Sequence, residues 1–122
     1  MVSNFNRNID LWDYDFETDI LFFRDNSLKY HSSIDLGDLM IEMEKNGPMG
    51  VELLNAATHF GISKIQLKTI QNINATIRIS ETDITATIEI FIKSRNANVP
   101  KVSTLYGVND INLQPGLTAM VC

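Results

Sequence analysis

Asp13, Asp15, Glu17 and Asp19 stand at alternate positions and form the densest set of potential ligands in the chain. Hard cations such as calcium take about six to eight oxygens, and acidic residues at every second position match the first half of a calcium loop. The second half does not follow. Thr18 stands where the sharp-turn glycine belongs, and Arg24 where the bidentate glutamate belongs. A solvated turn is therefore the expected role, with Asp15 or Asp19 accepting backbone N–H bonds, and a cation site at these four residues is the alternative.

A second group is Glu42, Glu44 and Glu52. Paired carboxylates do acid and base work when burial splits their pKa values. Alternation places Glu42 and Glu44 on the polar face of a strand, so Glu52 is the one to follow. Gly50 beside it lets another backbone approach, and Asn55 opens the next helix as a natural cap. Glu52 and Asn55 are the candidates for a small-ligand or catalytic site. His31 and His59 lie in no metal-ligand spacing, and His59 is expected to complement the end of a helix. No nucleophile elbow, phosphate loop or dinucleotide fingerprint occurs, so no cofactor is expected and a standard enzyme is disfavoured.

Aromatic residues supply the remaining chemistry. Seven of the ten fall in the first thirty positions: Phe5, Trp12, Tyr14, Phe16, Phe22, Phe23 and Tyr30. Strand alternation puts Phe22 and Phe23 on opposite faces, so one of them leaves the core. With Met40, Met43 and Met49 near in sequence, Phe22, Phe23 and Met40 are candidates for a subunit contact or a small apolar ligand.

Three hairpins must position these residues. In residues 9–16 Trp12, Tyr14 and Phe16 alternate with Leu11, Asp13 and Asp15; the turn at 15–19 leads into Ile20 to Arg24. Leu39, Ile41 and Met43 share one face, Lys45-Asn46-Gly47-Pro48 turns the chain, and Met49, Val51 and Leu53 return it. Ile73, Ala75, Ile77 and Ile79 answer Ile84, Ala86, Ile88, Ile90 and Ile92 across a turn at 81–83. Between the second and third hairpins two short helices are expected. One covers 54–60 and stops at Gly61; the other starts at the capping box Ser63-Lys64-Ile65-Gln66, with Ile62 and Leu67 at staple positions and Ile65 and Ile70 on its apolar stripe. The isoleucine face needs a partner layer, and the capped helix is the nearest one. Residues 102–108 and 117–122 read as extended.

The whole chain of 122 residues, 44% hydrophobic with one cysteine, fits a single domain that needs no disulfide or metal to hold its core. Cys122 has no partner for a bridge, and residues 1–10 lack the apolar run of a signal peptide, so a cytoplasmic location is expected. No stretch has the length and apolarity of a membrane helix, and no membrane contact is expected. Residues 1–60 carry four basic and eleven acidic side chains, and residues 61–122 carry six and four. The acidic half opposes phosphate backbones, which disfavours nucleic acid and leaves self-association or a protein partner as the expected contact.

Residues 14–58 resemble a prokaryotic family called domain of unknown function twenty-two eighty-three. The likeness is carried by Tyr14-Asp15-Phe16-Glu17-Thr18-Asp19-Ile20-Leu21-Phe22 and by Gly50-Val51-Glu52-Leu53-Leu54-Asn55-Ala56-Ala57. Ala57 replaces that family's usual serine, and Pro48 occupies a turn that is normally apolar. Longer archaeal-looking relatives add a helix and hairpin, as residues 62–93 do here. The resemblance implies an antiparallel meander with a helix behind it, and brings no catalytic residue with it.

Together these readings predict an α+β domain over residues 1–122: a family-like unit at 9–60, then a helix and hairpin extension at 61–122. The predicted architecture is an antiparallel β-meander of hairpins, two short helices in mid-chain and a C-terminal amphipathic hairpin packed on the helices. The predicted role is a non-enzymatic interaction or structural protein acting as a homo-oligomer or complex subunit. The alternative is a small-ligand binder or enzyme using carboxylates around Glu52.

Overall fold

Ten strands and two short helices make up a computed structural model that describes residues 3–122, with Ser3 described by its backbone alone. The fold is 57% strand and 8% helix, which corrects the α+β expectation to a predominantly β architecture. Two five-stranded sheets face each other. The first half of the chain builds sheet B from β2 (Leu11–Asp15), β3 (Ile20–Arg24), β4 (Ser32–Asp35), β5 (Leu39–Met43) and β6 (Pro48–Leu53), in the order β2-β3-β6-β5-β4. The second half builds sheet A from β7 (Asn72–Ile79), β8 (Asp83–Ser94), β9 (Ala97–Val108) and β10 (Gly116–Val121), joined by β1 (Ser3–Asn8), in the order β1-β10-β7-β8-β9.

The three predicted hairpins form with the expected alternation. Their inner residues include Leu21, Phe23, Ile41, Val51 and Leu53 on sheet B, and Ile73, Ile77, Ile84, Ile88 and Ile90 on sheet A, all buried in one cluster. The isoleucine face therefore packs on the other sheet rather than on the helices, because a five-stranded apolar face is wider than two short helices can cover. The helices fill a smaller place. α1 (Ala56–Phe60) buries Ala56 and Phe60, and α2 (Lys64–Leu67) buries Leu67, each adding to the same cluster.

The capping box at α2 forms as expected: the Ser63 hydroxyl accepts the Gln66 N–H at 3.1 Å, and the Gln66 side chain accepts the Ser63 N–H at 3.0 Å. Ile65, placed on the apolar stripe by periodicity, is instead 70% exposed, since a four-residue helix ends before the stripe can turn inward. Strand β1 was not legible as a strand. It pairs parallel with β10, Ser3 opposite Gly116 through Asn8 opposite Val121. No helix among the described residues is long and apolar enough to cross a membrane.

Candidate functional site

Sheet B turns alternate residues outward, and its register assembles the predicted candidates into one transverse row. Asp13 on β2 lies opposite Phe22 on β3, Phe22 opposite Glu52 on β6, Glu52 opposite Met40 on β5, and Met40 opposite Asp35 on β4. Phe22, Glu52 and Met40 are half-buried, with exposed carboxylates at both ends of the row. The Glu52 carboxylate makes no hydrogen bond or ion pair among the described residues. Phe23 goes the other way and is fully buried in the core, so it takes no part in this surface.

A second row runs beside the first: Leu11, Arg24, Gly50, Glu42 and Ser33. Arg24 Nε and Glu42 Oε1 meet at 3.1 Å across Gly50. A Cβ on Gly50 would come within 2.7 Å of both Glu42 Oε1 and the Arg24 side chain, so the missing side chain is what lets the two charges close. Neither atom makes a hydrogen bond among the described residues, which leaves the contact ionic in character. The Arg24 guanidinium also lies 5.2 Å from the centre of the Phe22 ring, a cation–π distance that tethers the ring to the surface.

Asn55 is not brought to Glu52. It adopts a left-handed conformation at φ 54 and gives α1 no side-chain cap. Asp19 does that work instead: its carboxylate accepts the Ala57 N–H at 3.1 Å, its carbonyl accepts the Ala56 N–H, and the Tyr14 hydroxyl donates to it at 2.6 Å. Burial, reinforced by the Asp19 carboxylate, pushes the Tyr14 phenol well above its ordinary range.

The other acidic residues at 13–19 separate. Asp13 faces outward from β2, whereas Asp15 closes the turn. Hydrogen bonds from the Thr18 side chain and from the Glu17 and Thr18 N–H groups hold the Asp15 carboxyl below the usual carboxylate range. Among the described residues no group of three or more His, Cys, Asp or Glu is arranged to hold a metal ion.

Sequence reasoning missed one polar pair. His59 Nε2 and Asp38 Oδ2 are 2.9 Å apart, and the His59 ring followed by the Asn55 side chain holds the Asp38 carboxyl low. They line an open cleft of about 390 Å³ with Leu36, Thr104, Leu105 and Tyr106. The pair is twenty-one residues apart and joins a turn to a helix, so no local spacing could have announced it. Glu52 lines none of five clefts formed by the described residues.

No family model and no solved structure matches the chain, so the resemblance at residues 14–58 rests on its two motifs. Two archaeal relatives do match. Over 103 residues the chain is 38% identical to a Methanosarcina mazei protein named "Putative hypoxanthine phosphoribosyltransferase", covering 84% of each. Over 106 residues it is 33% identical to an uncharacterized protein of Methanocaldococcus jannaschii, covering 85% of this chain and 91% of the relative. The chain therefore belongs to the family of these two archaeal proteins.

Proposed function

We propose that the chain is a non-enzymatic binding subunit that docks a protein partner on the outer face of sheet B. The observation that supports this reading is the row Asp13–Phe22–Glu52–Met40–Asp35, with two large half-buried apolar side chains on the outer face around a carboxylate that has no partner among the described residues. A solvated sheet face normally carries polar side chains at its middle, so outward Phe22 and Met40 on the two strands that flank Glu52 are the informative departure. Charge complementarity fixes the chemistry of the partner. It presents an apolar side chain to Phe22 and Met40 and a lysine or arginine to Glu52, with further basic residues facing Asp13 and Asp35.

Immobilised wild-type protein, Phe22→Ala and Glu52→Lys test it against extract of the source cells. The retained protein is then purified and titrated calorimetrically. Loss of at least tenfold in affinity with either variant, at unchanged circular dichroism, is expected. Equal binding by all three chains, or none by the wild type, overturns the reading.

A second reading follows from the name of the Methanosarcina relative, which would make the chain a transferase acting on hypoxanthine. The Asp38–His59 pair in its cleft is the titratable group best placed to serve such a site. Purified protein incubated with labelled hypoxanthine and a phosphoribosyl donor should then release a labelled nucleotide, and Asp38→Asn should abolish it. No nucleotide from the wild type removes this reading.

A further inference from the structure

Strand β9 is an edge strand, because sheet A ends with it. Its hydrogen-bond phase is fixed by the Asn109 N–H, which donates to the Thr82 carbonyl at 2.9 Å. The β8–β9 register runs without a bulge from Asp83 opposite Val108 to Ser94 opposite Ala97. In an antiparallel ladder the mutually bonded pairs recur at every second residue. Leu105, Ser103 and the other odd residues of β9 therefore bond to β8, and the N–H and C=O groups of Val102, Thr104, Tyr106 and Val108 point away from the sheet.

Edge strands are normally defended by charge, proline or a covering element. Pro100 defends one end of β9, lacking an N–H at an outward position. From Val102 to Val108 there is no charged residue. The side chains at the free positions are also exposed: Val102 at 54%, Tyr106 at 74% and Val108 at 64%. Two clefts, of about 390 Å³ at Thr104 to Tyr106 and about 490 Å³ at Gly107 and Val108, open beside this strand.

We infer that two copies of the chain pair through β9, antiparallel about a two-fold axis at Leu105, to make one continuous ten-stranded sheet. The register is set by chemistry already on the strand. Centring at Leu105 uses every free N–H from Val102 to Val108 and leaves Pro100 outside. Val102 then lies opposite Val108 of the other copy and Thr104 opposite Tyr106, both favourable cross-strand pairs. Lys101 of each copy falls opposite Asn109 of the other, next to Asp110, so the ends attract rather than repel.

Seven residues span about 24 Å, and two layers with their side chains are roughly 20 Å thick, giving about 1,000 Å² buried in total. That is the lower limit for a specific interface, so the dimer dissociates on dilution through the micromolar range. It occupies a different surface from the sheet B face and does not depend on it.

Analytical ultracentrifugation of the full chain from 1 µM to 1 mM tests the inference, together with hydrogen exchange at both extremes. The expected mass rises from 13.8 kDa to twice that value. Amides of Val102, Thr104, Tyr106 and Val108 gain protection as it rises, while those of Ser103 and Leu105 stay protected throughout. Tyr106→Lys, on an exposed side chain, and Thr104→Pro, at an N–H that β8 does not use, should each weaken association at least tenfold. Partner binding on sheet B should be unchanged in both. A monomer at 1 mM, or a dimer that keeps its affinity in both variants, overturns the inference.

Discussion

Asp25 sits where the end of β1 meets the end of β3, and it is buried at 7% exposure. Its carboxylate accepts the Asn8 N–H at 3.1 Å, the Ser27 N–H at 3.1 Å and the Ser27 hydroxyl. Burial alone would raise its pKa, but the Ser27 hydroxyl, the two N–H groups and the nearby Arg7 charge outweigh it, leaving the carboxyl below its ordinary range. A depressed pKa in the folded state contributes stability above the unfolded value, and that contribution is lost as pH falls through the folded value. Asp25→Ala is therefore expected to cost about 2 kcal/mol at neutral pH. The gap to wild type should close below about pH 4, where the unfolded carboxyl begins to protonate. Urea unfolding of both proteins at pH 7 and pH 3 checks this, and a pH-independent gap would contradict it.

At the scale of elements, α2 is a single helical turn that persists because its ends are satisfied. The capping box supplies two of its orphan N–H groups, and Leu67 anchors it in the core. Ser63→Ala should cost about 1 kcal/mol in thermal or urea unfolding, with no change in sheet content by circular dichroism. The same box was the clearest signal in the sequence, since its logic is local. Hairpins were legible for the same reason: the alternation of Ile73 to Ile79 and Ile84 to Ile92 names its own inner face. What covered that face was not legible. Strand period reports that a partner layer exists, and says nothing about whether it is a helix or a sheet. The row Phe22–Glu52–Met40 lay between these cases. Gly50 and Asn55 beside it marked Glu52, but its neighbours in the row come from β3 and β5, whose register is set by turns far from Glu52 in sequence.

For the whole molecule, both halves of the chain contribute to one hydrophobic cluster, so neither sheet has a core of its own. Ile88 is fully buried at the centre of β8, facing sheet B. Truncating it to alanine should cost about 2–5 kcal/mol by leaving a cavity between the layers. The loss should appear as one transition when Trp12 fluorescence on sheet B and far-ultraviolet signal from both sheets are followed together; two separate transitions would show that the layers fold independently. The acidic and basic halves remain distinct in this arrangement, because the acidic half is sheet B with its outward carboxylates and the basic excess lies with sheet A.

The parallel pairing of β1 with β10 carries a consequence for the order of events during synthesis. Ser3 meets Gly116, and Asn8 meets Val121, so β1 leaves the ribosome with its neighbour in the sheet still untranslated. Sheet B can close on local hairpins long before that, and β7, β8 and β9 can follow as a meander. Strand β1 can meet sheet B first, through Arg7 to Pro48 and Glu44 and through Asn8 to Asp25, but its ladder waits for β10, and joining the two closes the longest loop among the described strands. The β1–β10 ladder therefore closes late, by a short strand already tethered to sheet B. Slowing translation before residue 116 would lengthen that wait without changing the native state.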